Sequence, residues 1–187
     1  MPKLRKMLSD TSAPYIKSLM RLIETQSKET LVNWCIGYAE EHLLPIYEKC
    51  YPDDLRPKHA LSAAEDWMNG IIKLPAAKKL ILECHKAARE ADYNPAAQAA
   101  ARAIGQASST IHSPSHSLGI ALYGALAIAY DRLGTEEKWN IYEQFAADEC
   151  HKIETSLRSV AVEHELNPAM FMWKGPTINK SNRVNLS

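Results

Sequence analysis

The sequence has no surplus charge of either sign: 22 basic residues balance 22 acidic ones. It therefore lacks the electrostatic footprint that binding a phosphate backbone requires. With no interleaving of basic and aromatic residues either, nucleic acid is not an expected partner. Long apolar runs are also missing. The longest, residues 118–130, includes Gly119 and Gly124 and several alanines, and it falls short of the roughly 20 residues that cross a bilayer, so no membrane segment is expected. The basic start Met1-Pro2-Lys3-Leu4-Arg5-Lys6 leads into Ser9, Asp10, Thr11 and Ser12 instead of an apolar core, and a secretory leader is not expected. Cys35, Cys50, Cys84 and Cys150 lie far apart with no Cys-x-x-Cys pair, which argues against a disulfide scaffold and for free thiols in a reducing cytoplasm. The glycines are dispersed, with no phosphate-cradling loop. No serine sits in a Gly-x-Ser-x-Gly turn, and no cysteine has an evident activating neighbour. The residues thus point to no catalytic centre and no cofactor.

What the chain does have is a stretch from Tyr93 to Tyr130 whose one formal charge is Arg102, with His112 and His116 flanking Ser113-Pro114-Ser115. Alanine, glycine and serine recur there at helical spacing, so other elements must cover it on nearly every side. A length of 187 residues suits one domain. The expected organisation is a helical domain over residues 1–166 and a C-terminal tail over 167–187, mobile unless something docks it. Beyond Gly175 the composition is polar and without period.

Apolar residues recur at three and four, never in sustained alternation, which predicts an all-α bundle of about seven helices. Ile16, Leu19, Met20 and Ile23 mark the first. Ser27 caps the second, whose stripe is Leu31, Cys35, Tyr38, His42 and Ile46, with Pro45 kinking or dividing it. The third starts near Pro57 and buries Ala60, Ala64, Trp67 and Ile71; the fourth starts near Pro75 and buries Ala77, Ile81, Cys84, Ala88 and Ala91. The fifth opens at Asn94-Pro95 with a ridge of small residues, Ala97, Ala101, Gly105 and Ser109, that admits a close neighbour. That neighbour is the sixth helix, from about His116 to Leu133, ended by Gly134. The two are expected to form a buried, alanine-rich antiparallel hairpin. The last helix is expected to start at Thr135-Glu136-Glu137 and to run to Asn167-Pro168, before an apolar knot at Met170, Phe171, Met172 and Trp173.

Several polar residues invite a functional reading. A guanidinium at Arg102 calls for a carboxylate or several carbonyls, with Glu65, Asp66 and Asp131 as candidate partners. A packing ion pair is the plainer reading and an anion clamp the sharper one. His112 and His116 are four apart but straddle a proline turn, with no further zinc ligands in view. Capping or core hydrogen bonding therefore ranks ahead of metal binding, for which no residues are assigned. The tetrapeptide Glu-Cys-His-Lys occurs at residues 83–86 and 149–152. Adjacent helical residues diverge by about 100°, so a shared metal would require strain.

Trp34-Cys35, Tyr38-Ala39, Leu44-Pro45-Ile46-Tyr47-Glu48, Tyr51-Pro52-Asp53-Asp54 and Arg56-Pro57 resemble the five-like group of bacterial immunity proteins of polymorphic toxin systems. Ala87-Ala88-Arg89-Glu90-Ala91, the alanine-rich segment 95–103, Ser117-Leu118-Gly119 and Ala129-Tyr130 extend the likeness over residues 14 to 166. The resemblance implies a small, non-enzymatic cytoplasmic protein that blocks a cognate toxin by protein–protein contact, and it supplies no catalytic residues. Such blocking needs a surface of about 800 Å² per partner. The acidic pairs Glu40-Glu41 and Asp53-Asp54, with Glu65-Asp66 and Glu136-Glu137, would steer a basic toxin, and Trp173 offers an aromatic anchor. Two rivals stand beside this reading. One is a ligand-binding or enzymatic helical domain with Arg102, His112 and His116 around a pocket at the hairpin tip. The other is a self-associating adaptor that docks through residues 170–173.

Overall fold

A computed structural model describes residues 4–8 and 10–173; the polar segment beyond Gly175 lies outside the described residues. Among the described residues the fold is all-α. Its helices are α1 (Pro14–Glu24), α2 (Lys28–Tyr38), α3 (Leu44–Glu48), α4 (Arg56–Met68), α5 (Leu74–Glu90), α6 (Pro95–Ser109), α7 (Ala125–Leu133) and α8 (Trp139–Val160). A wide π turn, Ala39–Leu43, joins α2 directly to α3, so these form one bent rod and the chain folds as seven.

Local chemistry sets most of the starts. Ser27 Oγ accepts from the Thr30 amide at 3.2 Å, and Asn94 Oδ1 accepts from the Ala97 amide at 2.9 Å, each satisfying a donor that the first helical turn leaves free. Pro14, Pro45, Pro57, Pro75 and Pro95 all occupy first turns, where a missing amide costs nothing. α6 is the centre. Ala97, Ala101, Gly105 and Ser109 are fully or nearly buried on its ridge, and α3, α4, α5, α7 and the turn before α7 pack around it.

Several expectations need correction. The break in the second helix comes before Pro45, at the π turn, which inserts a residue and rotates the following side chains. His42 is consequently exposed, its ring 4.5 Å from that of Tyr38, and not part of the buried stripe. The third helix stops at Met68, with Gly70 in the left-handed region at φ 71°, so Ile71 falls outside it and is exposed. The sixth is not one regular helix: a 3₁₀ turn at Pro114–Leu118 and a π turn at Ile120–Gly124 precede α7.

The last helix starts at Trp139, without a side-chain cap, because Tyr142 takes over that corner. Its hydroxyl accepts from the Glu137 amide and donates to the Gly134 carbonyl. It ends at Val160, since buried Gln26 captures the chain there. Gln26 Oε1 accepts from the Val162 amide at 2.7 Å, and the Gln26 carbonyl accepts from the Ala169 amide at 2.9 Å.

Candidate functional site

An open hollow follows the bend in the α2–α3 rod. The π turn swings Glu41 and His42 outward, and α7 and α8 form the opposite wall, enclosing about 730 Å³ between Tyr38, Ile46, Ile128 and Phe145. A second hollow of about 430 Å³ continues it toward Trp34, Gly37 and Val160 and shares Tyr38, Glu41, His42 and Ser156. Ser156 accepts from the Trp34 indole N–H at 2.9 Å and so ties α8 to α2 beneath the groove.

Charges along the groove are mostly spoken for. Lys49 Nζ lies 2.9 Å from Asp131, and Lys152 is paired with the buried carboxylate of Glu149. Burial, followed by the nearby Glu149, holds the Tyr38 phenol far above its ordinary value, so it stays neutral. On the lip, Glu41 meets only the His42 ring, at 3.8 Å, and Glu40 has no cationic partner among the described residues. The groove thus combines an aromatic and aliphatic floor with paired charges and, at its edge, exposed Glu41 and Arg132.

The other expected residues are placed as follows. Asp53 is exposed in the α3–α4 loop. Asp54 faces inward: it accepts from the Tyr47 hydroxyl at 2.6 Å and from Arg56 Nε at 2.8 Å, and Arg56 also reaches Glu90 at 2.7 Å. The Arg56 guanidinium draws the Asp54 carboxyl down to about 2, so this residue clamps α3, α4 and α5 together. Trp173 is buried and its indole N–H donates to Glu24 at 2.7 Å, while Met170 and Met172 are exposed.

Arg102 does not form the expected ion pair. Asp131 is held by Lys49, and neither Glu65 nor Asp66 reaches the guanidinium. Arg102 is half-buried, and its Nε is sealed from water without an acceptor. His112 and His116 do come together at the hairpin tip, ring centroids 5.3 Å apart and edge to face, with His116 Nδ1 2.6 Å from Gln106 Oε1.

Sequence reasoning missed Tyr38, Phe145, Glu149 and Lys152 as groove residues and Gln106 as the histidine's partner. Tyr38 stood in the buried stripe, and the rest carried no local signal.

The described residues thus form an all-helical domain with an open groove at the α2–α3 bend. The family model described as "Imm-5 like putative immunity protein" matches residues 21–155, more than half the chain, and the chain belongs to this family. None of the curated proteins and none of the solved structures matches it.

Proposed function

We propose that this protein neutralises a cognate toxin in the cytoplasm by non-enzymatic protein–protein contact, and that the toxin docks on the groove at the α2–α3 bend. The observation that carries this reading is the π turn. A helix gives up regular hydrogen bonding there, and the result is an exposed Glu40-Glu41 pair on the turn, with Glu41 on the lip of a groove that holds Tyr38, Ile46, Ile128 and Phe145. Exposed carboxylates at the edge of a floor that holds Tyr38 and Phe145 suit a basic, arginine-bearing toxin surface.

The test is co-purification of the full chain from its native host, followed by binding assays with the captured toxin. Recovery of a stoichiometric partner whose toxicity this chain relieves supports immunity. A further loss of affinity on Glu40→Lys with Glu41→Lys, at least tenfold or about 1.4 kcal/mol, supports the groove. A chain that purifies alone overturns the function; a partner indifferent to both substitutions overturns the site. A second reading, self-association, rests on exposed Leu166, Met170 and Met172. Mass that rises with concentration on sedimentation would favour it.

A further inference from the structure

α5 turns a basic face to solvent. Lys78, Leu82, Lys86 and Arg89 follow one another at intervals of three and four, so they share one side of the helix, and Lys79 flanks them. All of them are exposed, Leu82 to 64%. Tyr93, in the turn just past the helix, is 95% exposed. None of these residues lines the groove at the α2–α3 bend.

α6 extends the face by one more cation. The His85 ring lies against Gly105, where an added Cβ would fall 2.5 Å from His85 Cε1, and Cys84 Sγ donates to the Ala101 carbonyl at 3.3 Å. These two contacts fix the antiparallel register of α5 and α6. Arg89 is one turn on from His85, and Arg102 is one turn back from Gly105, so the two arginines flank the same side of the hairpin. Burial first, then Arg89 and Arg102, hold His85 below its ordinary value, which agrees with that placement. Arg102 is half-buried, with its Nε sealed from water and without an acceptor. Among the described residues Lys78, Lys79, Arg89 and Arg102 have no carboxylate partner. Glu90 is held by Arg56 at 2.7 Å, with Lys86 at 4.0 Å, and half-buried Glu83 pairs with none of them.

A guanidinium that has lost part of its water and found no acceptor gains more from an incoming carboxylate than a fully solvated cation does. Exposed apolar surface at Leu82, set among cations, has the make-up of an anchor with a charged rim. We infer that this face docks an acidic protein segment, whose carboxylates meet Lys78, Lys79, Arg89 and Arg102 and whose apolar side chain covers Leu82. A phosphate backbone fits less well, because it offers nothing apolar to Leu82 and would meet Glu83 and Glu90 along the stripe. A membrane surface calls for a broader apolar face than Leu82 and Tyr93 supply. The inference does not depend on toxin binding at the groove and stands or falls separately.

Phage-display selection of random peptides on the full chain tests it, followed by fluorescence anisotropy with the enriched peptides. The expected result is a class rich in Asp and Glu around an apolar residue, binding at low salt with a Kd on the order of micromolar and more weakly at high salt. Lys79→Glu and Arg89→Glu, both at exposed positions, should each weaken binding about fivefold or more while leaving the unfolding midpoint in place. Leu82→Ser should weaken it without changing the salt dependence, which separates the apolar anchor from the charges. Glu41→Lys, in the groove, should leave it unchanged. The inference is overturned if no acidic peptide is enriched, or if the acidic peptides bind the Lys79→Glu and Arg89→Glu proteins as tightly as the parent. It is equally overturned if a polythymidine oligonucleotide or phosphatidylserine vesicles bind through these residues more tightly than every peptide.

Discussion

Glycines at 37 and 119 should respond to the same substitution with opposite sign. At Gly119 an added Cβ would sit 2.3 Å from Gln106 Cβ and 2.6 Å from its Cγ. Carbon atoms are comfortable at about 3.5–4 Å, and a Cβ cannot rotate away because it is fixed to the α6 backbone. One backbone must therefore move by more than an ångström, an overpacking that costs roughly 1–3 kcal/mol. The displaced Gln106 also loses its hydrogen bond to His116, a further contribution of about 1 kcal/mol. Removing glycine's freedom in the unfolded chain returns about 0.4–1 kcal/mol. The net expectation for Gly119→Ala is a loss of about 1–3 kcal/mol, which for a chain of this size lowers Tm by roughly 3–10 °C.

Gly37 lies in the regular part of α2, and nothing stands within 4 Å of where its Cβ would be. Gly37→Ala should gain about 0.5–1 kcal/mol and raise Tm by a few degrees. Urea unfolding of both variants, read at constant m, measures the two shifts. A Gly119→Ala midpoint at or above the parent's would refute the packing described for the hairpin tip.

Two further outcomes follow from the interior. Burial pushes the Cys35, Cys84 and Cys150 thiols up to about 12, while Cys50 is exposed, so a thiol reagent at pH 8 should label Cys50 alone in the native protein and all four in urea. Fast native labelling of a second cysteine, read by mass spectrometry, would contradict this burial. Arg102→Met keeps the aliphatic stem and removes a half-buried cation that has no counter-ion. Stability should stay level or rise by about 1 kcal/mol, and a loss above about 2 kcal/mol on chemical denaturation would mean that the guanidinium is paired after all.

Much of the fold was legible because its signals are local. Serine or asparagine before a helix and proline in a first turn act within four residues, so the starts at Lys28, Arg56, Leu74 and Pro95 could be read along the chain. The small-residue ridge of α6 is a pattern on one helix and was equally visible. The errors have longer-range causes. A π turn has no compositional mark, and its single extra residue put His42 out of phase with the stripe that Leu31 and Cys35 begin. α8 ends at Val160 because of Gln26, whose side chain acts 136 residues away in sequence. Tyr142 removes the need for the expected Thr135 cap in the same way, by folding its hydroxyl back onto the corner.

The polar residues of the charge-poor segment show where sequence reading stops. That Arg102 and His116 require partners follows from desolvation alone and holds in any all-helical fold. Which groups meet them is decided by helix packing. His116 finds Gln106, ten residues back on the other arm of the hairpin, and that bond orients the ring and fixes its Nδ1 proton toward α6. Among the described residues Arg102 finds no carboxylate: Asp131 lies with Lys49 at the groove, and neither Glu65 nor Asp66 forms an ion pair with it. Of the acidic residues named for recognition and pairing, Asp54 and Asp131 are held in ion pairs, Glu41 lines the groove, and Asp53 stands exposed in the α3–α4 loop. A neutral overall composition conceals this division, because net charge does not say which carboxylates are paired inside the fold and which face outward.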